Sequence, residues 1–162
     1  VKGALGLTGG ELLFFGAGDL TKTCKILGVI RNKLGDDLEL KDINEMAFAW
    51  ITEFPMYERN EQTGELDFGH NPFSMPKGGM TAFDAEDPLD IETSQYDLAF
   101  NGYEILSGSI RNHDPEVMVK AFEVLGYGEE EVIEKFGGMY NAFQYGAPPH
   151  GGFAIGIDSL GF

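Results

Sequence analysis

Apolar positions along the chain recur in two periods. Leu20, Cys24, Leu27, Ile30 and Leu34 fall three to four residues apart, which predicts a helix over roughly residues 20–34. Asp19 stands ready to cap its start and Gly35 to stop it. Val117, Met118, Ala121, Phe122 and Leu125 predict a second helix, with Asp114 as N-cap, Pro115 at its first position and Gly126 past its end. Val132, Ile133, Phe136, Tyr140 and Phe143 predict a third over about 129–144, where the Gly137-Gly138 pair allows close approach or a kink. Shorter runs read as strands. "ELLFF" (11–15) has the look of a short buried strand, and "AFAWITEFPMYE" and "LDFGHNPF" of a hairpin about the turn "NEQTGE". Pro55 belongs near an edge or irregularity of that hairpin, because it has no N–H to give a ladder. "YDLAF" and "YEILSGSIR" flank Asn101-Gly102, a strong signal for a two-residue hairpin turn, and "FAIGID" reads as a further strand. Residues 76–94 lack sustained periodicity, and so long a loop often belongs to a site.

Hairpins followed by two helices, without strand–helix alternation, predict an α+β fold built on an antiparallel sheet. The polar stretch "DDLELKDINE" is the expected boundary, giving residues 1–40 and 41–162. A strand and a helix alone bury little, so residues 1–40 read as the tail of a domain that begins upstream, and the whole as a fragment. With 43% hydrophobic and 12% aromatic residues the chain has the means for a packed interior. Its net charge of −16, with 11 scattered Lys and Arg, argues against a broad nucleic-acid surface in this piece. Cys24 is the only cysteine, so an intrachain disulfide is impossible, which fits a reducing cytosol. Its place in the helical pattern predicts a small packed residue. No apolar run reaches the length of a membrane span and no signal peptide opens the chain.

Three ionisable residues, Glu104, Arg111 and His70, lie near strand ends and are candidates for a site. Glu104 and Arg111 lie seven positions apart in "NGYEILSGSIR", so a regular strand points them to opposite faces. A β-bulge at Ser107-Gly108 would reverse the alternation and bring them onto one cleft floor. The plainer reading is a structural ion pair, or two exposed charges on unrelated faces. His70 in "GHNPF" is equally open, since a lone loop histidine is more often a structural hydrogen-bonder than a ligand. His113 and His150 carry no signal alone. There is no metal-ligand spacing, and "GGELLFFGAG" lacks the Gly-Lys-Ser/Thr ending of a phosphate loop.

Taken together, "FAWITEFPMYE", "GHNPFSMP", "YDLAFNGYEILSGSIRNHDPE", "KFGGMYNAFQYGAPPHGG" and "FAIGID" resemble the C-terminal half of a bacterial-type aspartyl-tRNA synthetase, in that family's order and spacing. The resemblance implies that residues 1–40 end the domain such enzymes insert, and that 41–162 form part of the class II catalytic domain. It implies roles too: Arg111 pairs with the side-chain carboxylate of L-aspartate, and His70 helps recognise that amino acid. Glu104 is an acid of the ATP site and a holder of Mg²⁺. Gly156, Ile157, Asp158 and Ser159 begin the glycine-rich ATP-binding segment, with Ser159 standing where the family has an arginine. The implied parent is a cytoplasmic homodimer, not a membrane protein, that makes aspartyl-adenylate from aspartate and ATP and passes the aspartyl group to tRNA. Contacts with tRNA lie mainly outside this chain, and whether the parent also charges tRNA(Asn) is left open. Alone, this chain is expected to be inactive. The competing readings are a non-catalytic aspartate-binding or interaction module derived from a synthetase, and a purely structural remnant.

Overall fold

A computed structural model describes residues 3–42 and 44–157. The chain divides into two units, Val1–Glu45 and Met46–Phe162. In the first, helix α1 (Leu20–Asp37) starts where the Asp19 carboxylate accepts the Lys22 amide at 3.0 Å. It does not stop at Gly35, as expected. A glycine inside a helix costs only about 1 kcal/mol relative to alanine, and α1 runs on until Leu38 caps the carbonyls of Leu34 and Asp36 and Glu39 turns to φ 52°. The strand expected at residues 11–15 does not form. A strand needs a neighbour for its N–H and C=O groups, and none of the described residues pairs with this segment, whose Leu12 and Phe15 are exposed. Cys24 is likewise exposed rather than packed.

The second unit carries the sheet. Strands β1 (Phe48–Thr52), β4 (Gln95–Phe100), β5 (Tyr103–Ile110) and β6 (Gly151–Ile155) pair antiparallel in the order β1-β4-β5-β6. Helices α2 (Pro115–Glu123) and α3 (Glu129–Gln144) complete an α+β unit with strands β2 (Tyr57–Arg59) and β3 (Leu66–Phe68). The β4–β5 turn takes positive φ at both centres, 47° at Asn101 and 88° at Gly102, as a turn matched to strand twist requires. The first hairpin is smaller than expected: only β2 and β3 pair, while residues 48–52 leave to border β4. The chain breaks between them at Glu53 (φ 64°) and at Pro55, which makes an isolated bridge to Glu92. Residues 76–94 hold two short 3₁₀ turns, Gly79–Asp84 and Pro88–Asp90.

The core lies between the β2–β3 hairpin and the helices. Met56, Tyr57, Ile91 and Ala121 form one buried cluster, and Met118, Phe122 and Val132 another, with Phe68 packing against both. The buried Tyr57 hydroxyl donates to the Ala121 carbonyl at 2.7 Å, and burial pushes its pKa up. Asp114 caps α2 by accepting from Glu116 and Val117. In α3 the helical geometry lapses at Phe136 (φ −128°, ψ 19°), just before Gly137-Gly138. One face of the four-stranded sheet is aromatic, with Phe48 against Phe100 and Trp50 edge-on to Tyr96.

Gly108 lies on that aromatic face beneath Tyr96, whose hydroxyl donates to the Gly152 carbonyl at 3.1 Å. A Cβ there would come within 2.5 Å of that carbonyl and 2.6 Å of the Tyr96 ring. Gly108→Ala is therefore expected to destabilise the unit by about 1–3 kcal/mol through overpacking, read from the midpoint of urea unfolding. Tyr57→Phe should cost a similar amount by stranding the Ala121 carbonyl.

Candidate active site

The register of β5 decides whether Glu104 and Arg111 share a face. Ser107, Gly108 and Ser109 pair in step with Asp97, Tyr96 and Gln95, so the bulge expected at Ser107-Gly108 is not there. Gly108 is instead a glycine because the Tyr96 ring occupies its Cβ position. The irregularity comes earlier: Leu106 faces Leu98, Glu104 faces Ala99, and Ile105 is the extra residue between them. One inserted residue reverses the alternation. Glu104 thus shares a face with Ser107 and Ser109, and so with Arg111 two residues on. The two charges lie about 20 Å apart, at roughly 3.3 Å per residue, so they share a floor without forming an ion pair.

Between them the floor is made of small side chains. Ala99, Ser107 and Ser109 occupy β4 and β5, and Gly152 and Ala154 face them from β6. A Cβ on Gly152 would meet nothing within 4 Å. At the Glu104 end the Gly156 amide donates to the Ile105 carbonyl at 3.1 Å, which sets Gly156 beside the bulge. Ile157 follows, exposed; Asp158 and Ser159 lie outside the described residues. Asp97, opposite Ser107, turns onto this same face, and its Oδ1 is buried without a hydrogen-bond partner.

At the other end, residues 73–76 wedge between the separating ends of β4 and β5. The Met75 amide donates to Ile110 at 2.8 Å, and the Ser94 amide to Met75 at 2.9 Å. Asn112 donates to Phe73, Arg111 to His150, and Ser74 and Arg111 form an antiparallel bridge. The turn that presents Phe73 is held by the Asn71 carboxamide oxygen, which accepts the Phe73 amide at 2.9 Å. The half-buried Arg111 guanidinium lies 5.5 Å from the centre of the Phe73 ring, and among the described residues it has no carboxylate partner. His70 belongs to the same loop, exposed and edge-on to Phe54 at 5.1 Å, with no hydrogen bond to Arg111.

Residues 20–161 match the profile of tRNA synthetases class II (D, K and N). The chain belongs to that family. It is 59% identical over 160 residues to an aspartate–tRNA(Asp/Asn) ligase of Rhodopseudomonas palustris (strain HaA2), and 58% identical to one of Bradyrhizobium sp. (strain ORS 278). Each alignment covers 99% of this chain and 27% of the relative, so the chain spans about a quarter of those proteins' length. A solved aspartyl-tRNA synthetase from Entamoeba histolytica is 24% identical, with a TM-score of 0.48 over 93% of this chain and 24% of that one.

In this class II synthetase chain, sheet pairing brings Glu104, Gly156 and Asp97 onto one end of the face and Arg111 onto the other, while His70 stands on the loop beside Arg111. Asp97 was not singled out in the sequence, where its signal was an acid inside the otherwise apolar run "YDLAF". Among the described residues no three His, Cys, Asp or Glu side chains group as a metal cluster. Mg²⁺ at a nucleotide takes only one or two carboxylates, with phosphate and water oxygens completing its shell. Glu104 and the orphaned Asp97 fit that donor set. A carboxylate oxygen buried without a partner is a cost to the folded synthetase. Asp97→Asn is expected to raise the ligand-free unfolding midpoint, by about 1 kcal/mol in stability, measured by calorimetry without nucleotide or Mg²⁺.

Proposed function

We propose that the protein to which this chain belongs is an aspartate–tRNA ligase that activates L-aspartate with ATP and Mg²⁺ and transfers it to tRNA. The observation that carries this reading is Arg111, a half-buried guanidinium without a carboxylate partner, on the same sheet face as Glu104 and Asp97. A guanidinium fork binds a planar carboxylate through two hydrogen bonds and by charge prefers it to an amide. His70 supports the amino acid from the neighbouring loop. Glu104 and Asp97 would hold Mg²⁺, which neutralises phosphate charge when bound. The small-residue floor and Gly156 let backbone approach the nucleotide. With these groups in place the aspartate α-carboxylate attacks the α-phosphorus and pyrophosphate leaves; the protein's share is positioning and charge stabilisation.

Relatives named for both tRNA(Asp) and tRNA(Asn) support a parent that charges both. We assign residues 1–40 to the end of an inserted domain and 41–162 to the catalytic domain, and the parent to a cytoplasmic homodimer. No helix among the described residues is long and apolar enough to cross a membrane. A second reading, a non-catalytic aspartate-binding module, is favoured by Ser159 at the position of an ATP-contacting arginine. A hydroxyl there supplies no positive charge.

Kinetics of the full-length protein separate the roles. Arg111→Leu removes one partner of a buried charge pair, worth about 2–5 kcal/mol, so kcat/KM for aspartate should fall at least about 30-fold while the KM for ATP changes little. His70→Ala should raise the aspartate KM less. An unchanged aspartate kcat/KM in Arg111→Leu rejects the assignment.

The 162-residue polypeptide on its own should show no aspartate-dependent pyrophosphate–ATP exchange. Among the described residues of the four-stranded sheet and the segments joined to it, Arg111 is the only arginine, and arginines at transferring phosphates contribute roughly 10³–10⁵ in rate in other phosphoryl-transfer enzymes. Exchange above a no-protein blank, abolished by Arg111→Leu, would overturn this expectation.

A further inference from the structure

The buried polar side chains of the described residues gather in one place. Ser74, Thr93, Gln95, Ser109 and Asn112 all lie at the junction where residues 73–76 enter the sheet beside Arg111. The Thr93 hydroxyl is satisfied, donating to the Phe54 carbonyl at 3.2 Å. Others are not. Ser74, fully buried and bridged to Arg111, has an orphaned Oγ. Gln95 is only 8% exposed, and its carboxamide makes no hydrogen bond to any described residue. Gln95 faces Ser109 in the β4–β5 register, so it shares the face of Arg111 and stands diagonal to it. Buried polar groups almost always have partners; the orphaned Ser74 Oγ and Asn112 Nδ2, with the unbonded Gln95 carboxamide on the face of Arg111, point to a ligand rich in acceptors.

We infer that Gln95 is a specificity-determining residue of this site: its carboxamide N–H donates to the same substrate carboxylate that Arg111 pairs. The inference rests on the reading of Arg111 as the carboxylate partner. An ionised carboxylate offers about four lone-pair positions, and a guanidinium fork takes two. Diagonal to a cation on the same face, the Nε2 group of Gln95 cannot serve Arg111, since both are donors, but it can serve the anion Arg111 holds. A neutral donor adds direction without adding charge, so it orients the carboxylate plane while Arg111 supplies the preference for an acid.

The test is steady-state pyrophosphate–ATP exchange by the full-length synthetase carrying this sequence, with aspartate and ATP varied separately. Gln95→Met keeps the volume and removes both hydrogen-bonding groups; the aspartate KM should rise about tenfold, the loss of one charge-assisted hydrogen bond. The ATP KM and the thermal midpoint should stay close to the parent's. Gln95→Glu sets a carboxylate against the substrate's own and should raise the aspartate KM about a hundredfold or more. An aspartate KM within twofold of the parent in Gln95→Met overturns the proposal. So does a rise in both Michaelis constants together with a lowered midpoint, the signature of a merely structural role. If Gln95→Met does not fold, Gln95→Asn, which keeps the amide but withdraws it by one methylene, is read by the same criteria. Arg111→Leu is measured alongside: if it too leaves the aspartate KM unchanged, the reading of the whole site fails, whereas silence at Gln95 alone removes only this inference.

Discussion

A single extra residue in β5 decides which chemistry the sheet can present. Because Ile105 has no opposite number on β4, the strand changes sides between Leu106 and Glu104. Had it stayed in step, Glu104 would stand with Phe48, Trp50, Tyr96 and Phe153 on the aromatic face, and Arg111 would be the only charge of the pair on the small-residue face. The bulge divides the sheet by function, with rings on one side and a polar floor on the other. Gly156 depends on the same irregularity, since its amide bonds to the carbonyl of the inserted residue.

The polar floor and the hydrophobic core are built on opposite terms. In the core the one deeply buried hydroxyl, that of Tyr57, is matched to a carbonyl from α2. On and around the floor, Asp97 Oδ1, Ser74 Oγ and Asn112 Nδ2 are sealed from solvent with nothing to bond. Unsatisfied groups of this kind cost about 1–3 kcal/mol each. A fold that keeps such atoms in one neighbourhood, while the Tyr57 hydroxyl of the core is satisfied, is holding them for something that arrives later.

What could be read in the sequence was whatever a few adjacent residues encode. The Asn101-Gly102 turn, the Asp114-Pro115 helix start and the lapse before Gly137-Gly138 all answer to local sterics. The errors came where a distant partner decides. "ELLFF" has strand composition but no strand beside it, Phe48–Thr52 chose β4 over the hairpin, and Gly108 makes room for a ring rather than a bulge. The site divides the same way. Glu104, Arg111 and His70 were visible by residue type and segment. Asp97 and Gln95 became meaningful only when the register turned them onto the face of Arg111.

The wedge formed by residues 73–76 has a consequence for how the protein is made. Arg111 is clamped between Ser74, which comes long before it in the chain, and His150, long after. The β4–β5 hairpin can close within microseconds, on the scale of isolated hairpins, but the pocket at its end must wait for two large loops to be drawn together. The surroundings of Arg111 are therefore not complete when the hairpin closes: they also need the chain around Ser74 and around His150.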